Sequence, residues 1–139
     1  LRTAQRPYAM SDPATAPLLR ILLVEDSPRI AERLRDMLEV EPGLQIIDTV
    51  ADEASAIVAA SSGNIDVMIL DLQLRSGTGF GVLRALGAKR PTTIVMTNYS
   101  LPQYRRRAQD LGAEHFLDKS VDLLRLPEIL GEIRRLRNA

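Results

Sequence analysis

The chain has 139 residues, 45% of them apolar and 26% charged, which suits one globular domain able to bury a core. Eighteen basic side chains balance eighteen acidic ones, so no global charge draws the chain to nucleic acid or an acidic membrane surface. Cysteine is absent, which excludes disulfides, thiolate metal sites and a cysteine nucleophile; no apolar run approaches the ~20 residues that span a bilayer.

The start lacks the basic-then-apolar order of a signal peptide, so a cytoplasmic protein is expected. Leu1 to Pro17 hold three prolines and no helical or strand period. They are expected to form a disordered leader or a non-native extension, with Met10 as a candidate natural start and one domain over 18–139.

Arg20-Ile21-Leu22-Leu23-Val24 reads as a first strand, followed by Glu25-Asp26 and then Ser27-Pro28, a cap and a first helical position. The helix runs to about Val40 on the spacing of Ile30, Ala31, Leu34, Met37 and Leu38, and Pro42-Gly43 stops it. Gln45 to Val50 reads as a second strand. Asp52 to Ser61 reads as a helix burying Ala54, Ile57, Val58 and Ala59.

The central stretch, Asn64 to Leu74, is an apolar run of strand length that ends on Asp71 and yields to the loop Arg75-Ser76-Gly77-Thr78-Gly79. A helix over Thr78 to Ala88 carries Phe80, Val82, Leu83 and Leu86, with Gly87 weakening its last turn. Thr92 to Thr97 forms a fourth strand. Ser100 can cap a fourth helix with Pro102 in its first turn, and this helix carries Arg105-Arg106-Arg107 and stops at Gly112. Glu114 to Lys119 is a fifth strand, and a last helix opens near Pro127. Five strands alternating with five helices predict an α/β fold, a flavodoxin-like (βα)5 doubly wound parallel sheet in strand order 2-1-3-4-5.

That topology gathers Glu25, Asp26, Asp71, Thr97 and Lys119 at the carboxyl edge of the sheet, where ligands bind in open α/β folds. With these five positions in chain order, the sequence resembles the response-regulator receiver family of two-component signalling, over roughly Arg20 to Arg137. The resemblance implies that Asp71 is the phosphoacceptor. It implies Mg2+ (or Mn2+) held by Asp26, Asp71 and the backbone carbonyl of Gln73, with Glu25 acting through a water. Lys119 and Thr97 would hold phosphoryl oxygens. Thr97 and Phe116 would form the switch, and Gln73 and Tyr99 would tune dephosphorylation. Implied partners are a sensor histidine kinase or phosphotransfer protein and a downstream protein target, with no nucleic acid or membrane bound directly. The output surface would be the face of the fourth helix, fifth strand and fifth helix, where a homodimer could also form. The implied role is a signalling switch that catalyses only its own phosphotransfer and autodephosphorylation.

Two positions depart from the family's pattern. Ser120 follows Lys119 where proline is usual, so the bond is either trans in a rearranged loop or a strained cis bond. Arg75 stands where proline is common, four residues after Asp71. Phe116 lacks the hydroxyl of the tyrosine often found at its place, which favours an inward ring. The arginine run is either a solvated helix face or a docking site, and His115 is read as structural or surface.

Rival readings remain. A phosphorylation-independent pseudo-receiver would use the fold only to bind partners. A haloacid-dehalogenase-like phosphohydrolase needs a second aspartate where Gln73 stands. A nucleotide or flavin module needs a phosphate-binding loop where Glu25-Asp26 places negative charge.

Overall fold

The computed structural model describes residues 17–138. The expected leader and Met10 therefore lie outside the described residues, apart from Pro17. The strands are β1 (Leu19–Val24), β2 (Leu44–Val50), β3 (Val67–Leu70), β4 (Thr92–Thr97) and β5 (His115–Asp118). The helices are α1 (Pro28–Glu39), α2 (Glu53–Ala60), α3 (Gly79–Leu86), α4 (Pro102–Asp110) and α5 (Leu126–Arg137). All strand pairs are parallel, in the order β2-β1-β3-β4-β5, which is the expected flavodoxin-like (βα)5 arrangement.

Period-two alternation along the buried strands feeds two cores, one on each face of the sheet. Leu22, Val24, Met68, Leu70 and Val95 pack with Ala56 and Ala60 of α2, Val82, Leu83 and Leu86 of α3, and Ala108 of α4. Ile21, Leu23, Ile69, Ile94 and Met96 pack with Leu34 and Leu38 of α1 and Leu126, Leu130 and Ile133 of α5. Helices thus cover both faces and leave the carboxyl edge open for the strand-end side chains. Among the described residues no helix is long and apolar enough to cross a membrane.

Local chemistry sets the element ends. Ser27 Oγ accepts from the Ile30 N–H ahead of Pro28, the expected start of α1. Asp52 and Thr78 cap α2 and α3 in the same way, through Ser55 N–H and Gly81 N–H. Gly87 takes a positive φ of 54° and hands α3 to a 3-10 turn, consistent with its weakening role.

Two expectations are corrected. The α2 face is rotated: Ala56 and Ala60 are buried, whereas Ala54 and Val58 are exposed, Val58 at 74%. Glu53-Ala54-Ser55-Ala56-Ile57-Val58-Ala59-Ala60 is apolar nearly all round, so periodicity does not single out a face, and alanines allow the closest approach to the sheet. Ser100 does not cap α4. Leu101 occupies the cap position with no side-chain bond, and Ser100 contributes instead to holding the Asp118 carboxyl.

Candidate functional site

The sheet's hydrogen-bond ladder extends one residue past the strands and fixes the backbone of the site. Asp71 N–H donates to the Val24 carbonyl at 3.1 Å, Glu25 N–H to Val50 at 2.9 Å, and Lys119 N–H to Thr97 at 3.0 Å. Three polar side chains on separate loops are thereby aimed at one point from rigid supports.

At that point Lys119 Nζ lies 2.6 Å from Asp71 Oδ2 and 2.6 Å from Glu25 Oε1, with all three side chains less than a tenth exposed. Sequence reasoning paired Lys119 with Asp71 and missed the bridge to Glu25. Burial opposes the charged form of Lys119, yet its hydrogen bonds and attraction to Asp71 and Glu25 hold its pKa above the ordinary lysine value. Burial pushes Glu25 up; Lys119 and the Ser27 N–H, at 3.1 Å, pull it back only in part.

Asp26 completes an acidic cluster: Glu25, Asp26 and Asp71 each offer an oxygen, all within 4.8 Å of one another. When ionised, three carboxylates against the single Lys119 ammonium leave a net charge of two minus at this point. A hard divalent cation that takes oxygen ligands matches both the donor set and that charge. Gln73 lies on the loop after Asp71, its N–H 3.4 Å from Asp71 Oδ1. Gly79 closes that loop, because a Cβ there would stand 2.4 Å from the Asp71 carbonyl oxygen.

Thr97 is fully buried at the end of β4, and its Oγ1 accepts the Tyr99 N–H at 3.1 Å. Tyr99 is 44% exposed and meets Tyr104 edge-on. Phe116 is inward, 7% exposed, beneath the Arg105 guanidinium, whose Cζ lies 4.6 Å from the ring centroid. Arg107 covers Phe80 in the same manner at 4.4 Å, so two of the three arginines in the run lie over aromatic rings. His115 opens β5, at the end of the sheet away from Asp71.

The Lys119–Ser120 bond is trans, since the described residues contain no cis peptide. Asp118 shapes this loop in place of a proline. Its Oδ1 accepts both the N–H and the hydroxyl of Ser120, at 2.8 and 2.5 Å, and its carbonyl accepts the Val121 and Asp122 N–H groups. Bonds from Ser100 and Ser120 hold the Asp118 carboxyl below its ordinary pKa.

Sequence reasoning also passed over Asp66 and Glu53. Asp66 is 9% exposed at the opposite end of the sheet, where it accepts from Arg20 N, Nε and Nη2 and from Arg137 Nη2, at 2.8 to 3.1 Å. A charged residue immediately before an apolar strand was its only sequence signal. Glu53 grips the loop after Asp71 from the start of α2.

A family model described as "Response regulator receiver domain" matches residues 21–131. The nitrate/nitrite response regulator protein NarP of Escherichia coli is 32% identical over 118 residues, covering 84% of this chain and 53% of that protein. A protein-glutamate methylesterase/protein-glutamine glutaminase of Symbiobacterium thermophilum is 32% identical over 113 residues, covering 79% of this chain and 31% of that protein. The chain thus spans about half or less of these curated relatives. The signal receiver domain of the putative response regulator NarL of Mycobacterium tuberculosis shares the fold, with a TM-score of 0.78 at 19% identity over 86% of this chain and 98% of that one. A chain of the CheX-CheY-BeF3-Mg+2 complex from Borrelia burgdorferi gives a TM-score of 0.77 at 24% identity over 86% of this chain and 91% of that one.

Proposed function

The chain belongs to the response-regulator receiver family of two-component signalling, and from that membership we propose that Asp71 accepts a phosphoryl group and that the resulting charge resets a protein-binding face. The observation that carries this reading is the single ammonium of Lys119, held 2.6 Å from both Asp71 and Glu25 beside Asp26. The site chemistry, rather than the fold, is the reason to prefer it over a pseudo-receiver or a phosphohydrolase.

Asp26, Asp71 and the Gln73 carbonyl would hold Mg2+ (or Mn2+), with Glu25 reaching it through a water. Bound there, the cation supplies Lewis-acid neutralisation of charge on the phosphoryl oxygens. Asp71 Oδ attacks phosphorus in line, forming a P–O bond as the P–N bond to a phosphohistidine donor breaks, and the departing imidazole takes up a proton. The donor is a sensor histidine kinase or a phosphotransfer protein. Lys119 keeps its proton throughout, first pairing the free carboxylate and then a phosphoryl oxygen. Its bond is worth about 1.5–3 kcal/mol.

Thr97 links the chemistry to shape. A hydroxyl has one donor and two acceptor positions, so it can donate to a phosphoryl oxygen while still accepting from Tyr99 N–H. The loop from Asn98 to Ser100 therefore travels with the hydroxyl. Phe116 follows on the adjacent strand, and the face of α4, β5 and α5 changes its affinity for a downstream protein or for a second copy of the chain. Gln73 and Tyr99 flank the approach of water and set the lifetime of the phosphoryl group. In this reading the receiver unit spans 18–139 and acts in the cytoplasm as a switch whose only catalysis is on its own aspartate.

Beryllofluoride with Mg2+ tests the pocket directly. A bound fluorine resonance is expected for the wild type, with loss of that resonance in Asp71→Asn and with chelator. Wild-type protein that stays folded and shows no bound resonance contradicts the reading.

A further inference from the structure

Resting on the proposed metal site, we propose that Glu53, at the first position of α2, is a positioning residue that sets the Gln73 carbonyl for the divalent cation. The sequence gives no reason to connect them, since Glu53 stands 25 residues before the Thr78 that it holds.

Three consecutive residues of the α2 start grip the loop that follows Asp71. Ala51 accepts the Arg75 N–H at 3.2 Å. Asp52, besides capping α2, accepts from Arg75 Nη2 at 2.9 Å. Glu53 donates its N–H to the Ser76 carbonyl at 2.9 Å and accepts the Thr78 N–H at its Oε1, also at 2.9 Å. Thr78 in turn faces Gln73 across an isolated antiparallel bridge, and Gly79 N–H closes on the Leu72 carbonyl at 2.9 Å. The path from the Glu53 carboxylate to the Gln73 backbone is thus one hydrogen bond and one bridge.

Packing closes the same grip. A Cβ at Gly77, where φ is +80°, would fall 2.4 Å from the Glu53 Cβ, and one at Gly81 would fall 2.2 Å from Glu53 Oε1. Glycine at both positions lets the loop and the first turn of α3 lie directly on the glutamate. The grip also accounts for Arg75 where the family commonly carries proline. A proline ring would stiffen the loop but could offer Ala51 no N–H and Asp52 no guanidinium. In this chain, hydrogen bonds to α2 take over the ring's role.

Groups behind metal ligands orient them, and their loss typically weakens metal binding about 10- to 100-fold. Glu53 acts through Thr78 and Gln73, so its reach matters and its charge does not. Two variants separate these properties. Glu53→Gln keeps the length and an acceptor oxygen but removes the charge. Glu53→Asp keeps the charge and retracts the oxygen by one methylene from Thr78.

The test is Mg2+ affinity by isothermal titration calorimetry on the full chain, with the Gln73 amide resonance followed by NMR and melting temperatures recorded in parallel. Glu53→Gln should bind Mg2+ within about twofold of wild type, whereas Glu53→Asp should bind about tenfold more weakly with a displaced Gln73 amide. Loss of affinity in Glu53→Gln overturns the inference, because a field effect would then suffice. So does undiminished affinity in Glu53→Asp. Wild type that fails to bind Mg2+ overturns the proposed metal site itself, and this inference falls with it.

Discussion

Lys119 shows why a buried charge can persist at the mouth of a sheet. Its side chain is 7% exposed, a situation that ordinarily favours the neutral amine, yet two carboxylates at 2.6 Å favour the ammonium more. Asp66 makes the mirror-image case at the far end of the sheet. Burial pushes its pKa up, but hydrogen bonds from Arg20 and the charges of Arg137 and Arg20 outweigh that and leave it below the ordinary carboxylate value. A carboxyl with a lowered folded pKa contributes stability that is complete above its unfolded value of about 3.9 and is lost as pH falls through the folded value. With its arginines 39% and 48% exposed, the contribution is screened to about 1 kcal/mol. Asp66→Asn should therefore unfold at lower urea than wild type at pH 7, and the gap should narrow as pH falls below the unfolded carboxylate value and through the lowered folded one. An undiminished gap in acid would show that the charge is not responsible. Asp71, Asp26, Thr97 and Lys119 were legible in the sequence because each follows or ends an apolar run. Asp66 was not, since its partners lie 46 and 71 residues away.

Elements differ in how firmly their ends were written. Ser27-Pro28 announces α1 through local chemistry, and the structure places the cap there. The rotated face of α2 and the reassignment of Ser100 arise from contacts between elements, which no local pattern records. Two glycines in helices make the contrast testable. Gly131 in α5 has open space around a Cβ and no positive φ, whereas Gly79 at the start of α3 would drive its Cβ to 2.4 Å from the Asp71 carbonyl. Gly131→Ala should raise stability by about 0.4–1 kcal/mol in chemical denaturation. Gly79→Ala should lower it by about 1–3 kcal/mol and shift the Asp71 amide resonance. Equal effects from the two would mean that the loop after Asp71 is not held against the strand.

At the scale of the molecule, parallel order 2-1-3-4-5 brings the ends of four strands, β1, β3, β4 and β5, to one site. Apolar strands alternating with helices predict a doubly wound parallel sheet, so the fold class and the gathering of the acidic residues at its carboxyl edge were readable before any coordinates. The clasp between the α2 start and the loop after Asp71 was not, because it is made by backbone groups and by a glutamate that looks like an ordinary first-turn acid. The proposed switch also belongs to this scale. A change from 1:99 to 99:1 needs about 5.5 kcal/mol of differential interaction, more than one lysine bond supplies, so in the proposed switch Lys119, Thr97 and the packing of Phe116 would have to act together. All of this depends on Asp71 becoming covalently phosphorylated. The decisive measurement is intact mass after incubation with a small-molecule phosphodonor and Mg2+, in wild type and in Asp71→Asn, with a chelated control. The account predicts the gain of one phosphoryl group in wild type alone and none in either control. A gain that survives in Asp71→Asn, or none in folded wild-type protein that binds beryllofluoride, would contradict it.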